Sequence, residues 1–229
     1  FFGSISAYNF VKYGVEADKY ILVATRYHKN IQFFSIIALL IAVYHVTFLS
    51  KNTFFFMMVM VLMTGLYAVP VLPHAKNLRN LGGLKIFIVA LVWAGTTVVL
   101  PAVSNSTAIY WDILIETIQR FLLVLILLVP FEIRDLAYDS LDLKTLPQRF
   151  GVKKTKIFAS FAIVIFYAST FLKDNLLVID AIGKGLLFLT LGFSILFTKR
   201  NQRKYFSSFW VEAIPIFWWG ILTLLENIV

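Results

Sequence analysis

FEIRDLAYDSLDLKTLPQRFG, running from Phe131 to Gly151, is the stretch around which the chain is organised. It follows a long apolar run and is the one place where acidic residues cluster. Glu132, Asp135, Asp139 and Asp142 lie three, four and three residues apart. On a helix that spacing puts all four carboxylates on one face. Like charges so placed repel by a few tenths of a kcal/mol per pair in water, and by more near a membrane. The stripe therefore calls for water, for basic partners or for a bound cation. Asp oxygens at i and i+4 suit a hard cation such as Mg²⁺, which bridges to phosphate oxygens. Pairing with nearby lysines and arginines is the plainer alternative.

Outward from this stretch the chain is apolar. Of 229 residues, 60% are hydrophobic and 14% charged, against about 25% charged in a soluble domain, with mean hydropathy +0.83. The composition predicts an all-α, polytopic transmembrane helix bundle in a lipid bilayer. There is no cysteine, which excludes disulfides and thiol chemistry. The net charge of +9 reads as loop bias in a membrane protein, so no nucleic-acid partner is expected.

A bilayer core of about 30 Å takes roughly 20 helical residues. Full spans are expected at about 31–49, 53–72, 86–103, 110–131, 157–172, 176–198 and 206–225, after the end of an earlier one at 1–10. Pro70 and Pro73 are expected to end the second of them, and Tyr110 and Trp111 to anchor the fourth at the interface. The Phe-Phe-Gly start is expected to lie inside a span. All but four of the 21 lysines and arginines (Lys51, Arg120, Lys173 and Lys184) fall in the loops at 12–29, 74–85, 134–156 and 199–204. That alternation predicts a cytoplasmic acidic stretch with the C-terminus on the opposite side.

Ile133-Arg134-Asp135-Leu136-Ala137-Tyr138-Asp139, with Lys144-Thr145-Leu146-Pro147 and Phe150-Gly151 behind it, resembles the second aspartate-rich motif of the UbiA superfamily of intramembrane prenyltransferases. Leu84-Lys85, ahead of an apolar helix with Ala90 and Trp93, is similar to the loop and helix preceding that motif. Ala7-Tyr8-Asn9 looks like the start of the first motif, although Tyr13 stands where the family has an aspartate four residues after Asn9. The resemblance implies nine spans in the complete fold. Residues 1–229 would form a single UbiA-like domain that lacks the first span and most of the second, in a bacterial inner membrane.

The activity implied is Mg²⁺-dependent transfer of an isoprenoid group from a prenyl diphosphate to a lipophilic, aromatic acceptor. Asp135 and Asp139 would be catalytic and would hold the metal together with Asn9. Asn9, Lys12, Lys76, Arg79, Lys85 and Arg134 would bind the diphosphate. Glu132 and Asp142 would be supporting charges. A catalytically degenerate relative serving as scaffold, lipid-binding protein or transporter is the alternative, and Tyr13 is its main support. The aspartate-bearing CDP-alcohol phosphotransferases are set aside, because Tyr138-Asp139-Ser140 lacks their Asp-Gly and Gly-x-x-x-Asp runs.

Aromatic residues are 17% of the chain, including 23 Phe, and fit either a prenyl cavity or a lipid-facing surface. Asp112, Glu116 and Arg120 share one helix face at i, i+4 and i+8 and should turn inward, with Glu116 paired to Arg120. Asp180 and Lys184 repeat the i, i+4 spacing, while Glu212 stands alone. The three histidines, His28, His45 and His74, are scattered and make no metal site.

Overall fold

A computed structural model describes residues 1–11, 26–68, 83–105, 110–139, 143–203 and 205–227, with residues 26–28 described by backbone only. All regular structure among them is helical. Among the described residues seven helices are long and apolar enough to cross a membrane, and the chain is a multi-pass, all-α membrane protein. It divides into two compact units, residues 1–79 and 80–229.

The first unit holds α1 (Phe2–Asn9), α2 (Arg26–Val46) and α3 (Lys51–Ala68). α1 packs on α2 through polar contacts made by small side chains. Ser6 Oγ donates to the Ser35 carbonyl at 2.9 Å, and Asn9 Nδ2 donates to Ser35 Oγ at 2.8 Å. Ser50 caps α3, accepting the Thr53 N–H at 3.3 Å. Pro70 and Pro73 lie outside the described residues.

The second unit is built on α5 (Trp111–Asp135), which packs against α4 (Leu84–Ser104), α6 (Leu146–Leu172), α7 (Val178–Phe197) and the start of α8 (Phe206–Glu226). Leu123, Ile126, Val129 and Ile133 form its inner stripe at helical spacing. They meet Ala159, Ile163 and Phe166 of α6, Leu187, Leu191 and Ile195 of α7, and Val211, Ile214 and Trp218 of α8. The opposite faces carry exposed Phe, Leu and Ile, as helices immersed in lipid do. α7 and α8 approach closely at Gly183, where a Cβ would lie 2.5 Å from Leu222 Cδ2.

Three local features bend this frame. α4 widens into a π-turn at Gly95–Val99, just ahead of Pro101, which has no N–H to return to the chain. α5 contains Pro130, whose carbonyl accepts a 2.8 Å hydrogen bond from Gln202 Nε2, and Gln202 in turn accepts one from Ser207 Oγ. α6 begins at Leu146, eleven residues before the expected 157. Pro147 sits in its first turn, and Gln148 reaches back to the Thr145 N–H at 2.9 Å. The basic run Lys153, Lys154 and Lys156 is therefore helical rather than loop.

Gly151 interrupts α6 at φ 78 and ψ 159, a conformation open essentially only to glycine. No described atom lies within 4 Å of a Cβ built there, so substitution meets backbone strain and no clash. Gly151→Ala is expected to lower stability by about 1–3 kcal/mol, read as a depressed Tm in detergent.

Candidate functional site

The acidic stripe is not one continuous helix face. α5 ends at Asp135, whose carbonyl accepts both Tyr138 N–H (2.9 Å) and Asp139 N–H (2.8 Å), so 136–139 close as a turn. Asp142 lies outside the described residues. The expectation of a four-residue stripe is corrected accordingly: the helix stops where its carbonyls can be satisfied by a turn.

Three elements converge at this end of the unit. The start of α4 lies against the start of α6, where a Cβ on Gly83 would sit 3.6 Å from Leu146 and 3.9 Å from the Lys144 carbonyl. Lys144 itself adopts φ 45, a left-handed turn that delivers the chain into α6. Gln148 Nε2 donates back to the Asp139 carbonyl at 3.5 Å.

Lys85, in the first turn of α4, is the hub. Its Nζ lies 2.8 Å from Glu132 Oε1 and 3.4 Å from Asp139 Oδ2. Its ammonium is thus paired with two carboxylates. Glu132, expected only as a supporting charge, is the most enclosed of the acids, with a side chain 6% exposed. Its second oxygen, Oε2, is buried without a partner among the described residues. Asp135 is taken by its neighbour: Arg134 Nε donates to Oδ1 at 2.7 Å and Nη2 to Oδ2 at 3.2 Å, with the guanidinium 5.1 Å from the centre of the Phe131 ring. Among the described residues the stretch brings Glu132, Asp135 and Asp139 together with Lys85 and Arg134, and Arg134 also feels the charge of Glu212. Carboxylate oxygens are the hard donors that Mg²⁺ prefers. Among the described residues no group of three or more His, Asp or Glu is disposed to hold a metal.

Asn9 belongs to the first unit, and its amide is engaged with Ser35. Lys12, Lys76 and Arg79 lie outside the described residues, as do Tyr13 and His74.

A second polar cluster occupies the other end of α5. Glu116 accepts from Lys173 Nζ at 2.7 Å and from Lys184 Nζ at 2.8 Å. Asp180 accepts from the same two lysines at 2.7 and 3.1 Å. Gln119 joins them, accepting from Lys184 at 2.6 Å and donating to the Phe166 carbonyl and Thr170 Oγ1. The expected Glu116–Arg120 pair is present only at 4.0 Å, because lysines on other elements reach Glu116 first. Asp112 turns away from the stripe and caps the following loop, accepting the Asp174 and Asn175 N–H groups at 2.7 and 3.1 Å. Trp111, expected as an interfacial anchor, donates through Nε1 to the Leu172 carbonyl at 2.6 Å.

Lys173 lies between α6 and α7. Burial pulls its pKa down, but hydrogen bonds to Asp180 and Glu116 and the charge of Glu116 outweigh burial, and the net shift is upward. A raised folded-state value makes the lysine's contribution complete below the free-lysine pKa of about 10.4 and progressively lost as pH rises from there through the folded value. The stability difference between wild type and Lys173→Met is therefore expected to stay flat between about pH 7 and about pH 10 and to narrow only above that. Thermal melting of both proteins across this range checks it; a gap that closes below pH 9 (roughly the lower foot of a free-lysine titration) contradicts it.

No protein-family model, curated protein or solved structure matches the chain.

Proposed function

We propose that the protein is a UbiA-like prenyltransferase that moves an isoprenoid group from a prenyl diphosphate to a lipophilic, aromatic acceptor with Mg²⁺. The observation that carries this reading is the convergence of the IRDLAYD carboxylates with Lys85 and Arg134 at one end of an apolar bundle. The positive-inside bias of the loops supports a cytoplasmic setting for that end and an inner-membrane location, with the far end of α8 outside.

Asp135 and Asp139 would hold the metal, which supplies charge stabilisation for the leaving diphosphate. Lys85 and Arg134 bring two further positive charges to the same end, where they counter the developing negative charge. A prenyl group lying among the apolar helices would be kept from water, so that its cation would be captured by the acceptor rather than hydrolysed. Aromatic faces stabilise such a cation by about 0.5–2 kcal/mol each. No covalent protein nucleophile is required.

A second reading, a membrane scaffold, lipid-binding protein or transporter on the same bundle, is favoured by one observation. Lys85 already neutralises part of the charge on Glu132 and Asp139, so the cluster does not depend on a metal to persist. Membranes containing the full-length protein, given labelled prenyl diphosphates of several lengths and aromatic acceptors with and without Mg²⁺, separate the two. The enzyme reading expects Mg²⁺-dependent product. Absence of both turnover and Mg²⁺-dependent diphosphate binding would overturn the enzyme reading.

A further inference from the structure

Arg120 is the charge that the far-end cluster leaves over. Glu116 and Asp180 are each matched by both Lys173 and Lys184 at 2.7–3.1 Å. Arg120 adds a third cation, and its nearest carboxylate oxygen, Glu116 Oε1, is 4.0 Å away, beyond hydrogen-bond length. The guanidinium lies instead over Trp218 of α8, 5.2 Å from the ring centroid. Trp218 is 8% exposed, and its Nε1 is a buried donor with no acceptor among the described residues. The carboxylate one helical turn beyond Glu116, Asp112, is occupied by backbone N–H groups.

Arg120, with only the 4.0 Å ion pair to Glu116, and Trp218 Nε1 are thus donors without a hydrogen-bond acceptor among the described residues, and they belong to a single contact inside membrane-spanning helices. A guanidinium carries five N–H groups and cannot discharge by losing its proton. Hydrocarbon offers no acceptors, and an unpaired charge at that depth is costly. The complement of this contact is an oxyanion: negative, and able to accept hydrogen bonds from a planar fork and an indole N–H. Depth says what carries it. Arg120 is nine residues into α5, about 14 Å along the axis at 1.5 Å per residue, and its side chain leans back toward the helix start. The Arg120 side chain is 26% exposed, leaving the guanidinium a way to be reached. An anion arriving there must bring an apolar tail compatible with the span. Asp135 is fifteen residues further on, about 22 Å along the helix, so this contact is separate from the acidic site.

We propose that Arg120 and Trp218 form a binding site for the oxyanion headgroup, carboxylate or phosphate ester, of an amphiphile, at the end of the bundle opposite the acidic site. The site does not depend on prenyl transfer. The test is native mass spectrometry of the full chain from uncharged detergent, titrated with oleate against oleyl alcohol and with dioleoyl phosphatidylglycerol against dioleoylglycerol. At least one oxyanion is expected to bind tenfold or more tightly than its matched neutral lipid, roughly one charge-assisted contact's worth. Preference for oleate assigns a carboxylate headgroup, and preference for phosphatidylglycerol assigns a phosphate. Arg120→Gln is expected to erase the preference, Arg120→Lys to retain part of it, and Trp218→Phe to weaken it several-fold while keeping the ring. No preference for either oxyanion, or an unchanged preference in Arg120→Gln, overturns the proposal. Should Arg120→Gln fail to fold, Trp218→Phe decides: binding equal to wild type overturns it.

Discussion

Asp135→Asn and Asp139→Asn are each expected to lower prenyl transfer at least about 100-fold in kcat/KM, the scale of losing one preorganised partner of a charged transition state. Each substitution keeps the shape of the side chain and removes the charge that a hard cation needs. Folding should be almost unaffected, for reasons particular to each residue. The Asp135 side chain is 36% exposed and pairs with the adjacent Arg134, whose guanidinium still has the Phe131 ring beneath it. Asp139 is the longer of the two contacts made by Lys85, at 3.4 Å, and its loss leaves the 2.8 Å bond to Glu132 intact. The more exposed Arg134–Asp135 pair contributes about 0–1 kcal/mol, and the loss at Asp139 is softened because Glu132 keeps Lys85 paired. Near-wild-type melting with lost turnover is therefore the expected combination. Glu132→Gln is the informative contrast, since it strips Lys85 of its nearest and most buried partner and should cost stability as well. Wild-type turnover in both Asn variants would remove Asp135 and Asp139 from the chemistry, whereas no turnover in any of the proteins, wild type included, would leave the scaffold or transporter reading.

The spans were legible because hydropathy is a local, additive property, and an eighteen-residue apolar run has few alternatives to a membrane helix. The start of α6 was missed, although the chain carries a signal for it. Thr145, Pro147 and Gln148 spell a helix start, whereas the hydropathy of the charged segment that follows hides it. The i, i+4 rule found the Asp180–Lys184 pair, since both partners lie on one helix. The same rule found the Glu116–Arg120 pair but not its weakness, because the closer partners of Glu116 come from other elements, Lys173 and Lys184, which no local spacing ranks above Arg120. The hub of the acidic site was hidden for the same reason. Lys85 and Asp139 are 54 residues apart, and only the packing of α4 on α5 brings them together. Motif spacing thus pointed to the helix end where these carboxylates gather. It could not tell which carboxylate there is exposed and which is enclosed, because enclosure is decided by the neighbouring helix.

The largest stability effect is expected at Lys184. Its side chain is 1% exposed, and its Nζ is matched donor for acceptor by Gln119 Oε1 at 2.6 Å, Glu116 Oε2 at 2.8 Å and Asp180 Oδ2 at 3.1 Å. Lys184→Met fills the same space without a charge. It leaves Gln119 Oε1 without its donor and two carboxylates sharing Lys173, with Arg120 at 4.0 Å from one of them. Removing one partner from a buried charge cluster typically costs about 3–5 kcal/mol, because the remaining charges stay desolvated. The effect should travel, since Gln119 also ties α5 to the Phe166 carbonyl and to Thr170 at the end of α6. Lys173→Met is expected to cost less, as Lys173 is 12% exposed and water can replace part of its role. The measurement is thermal melting in detergent of wild type, Lys184→Met, Glu116→Gln and the double variant. Coupling between the two sites should make the double variant markedly less damaged than the sum of the singles. If Lys184→Met melts within about 1 kcal/mol of wild type, the range of an exposed pair, or if the two substitutions add, the cluster is not the clamp that joins α5, α6 and α7.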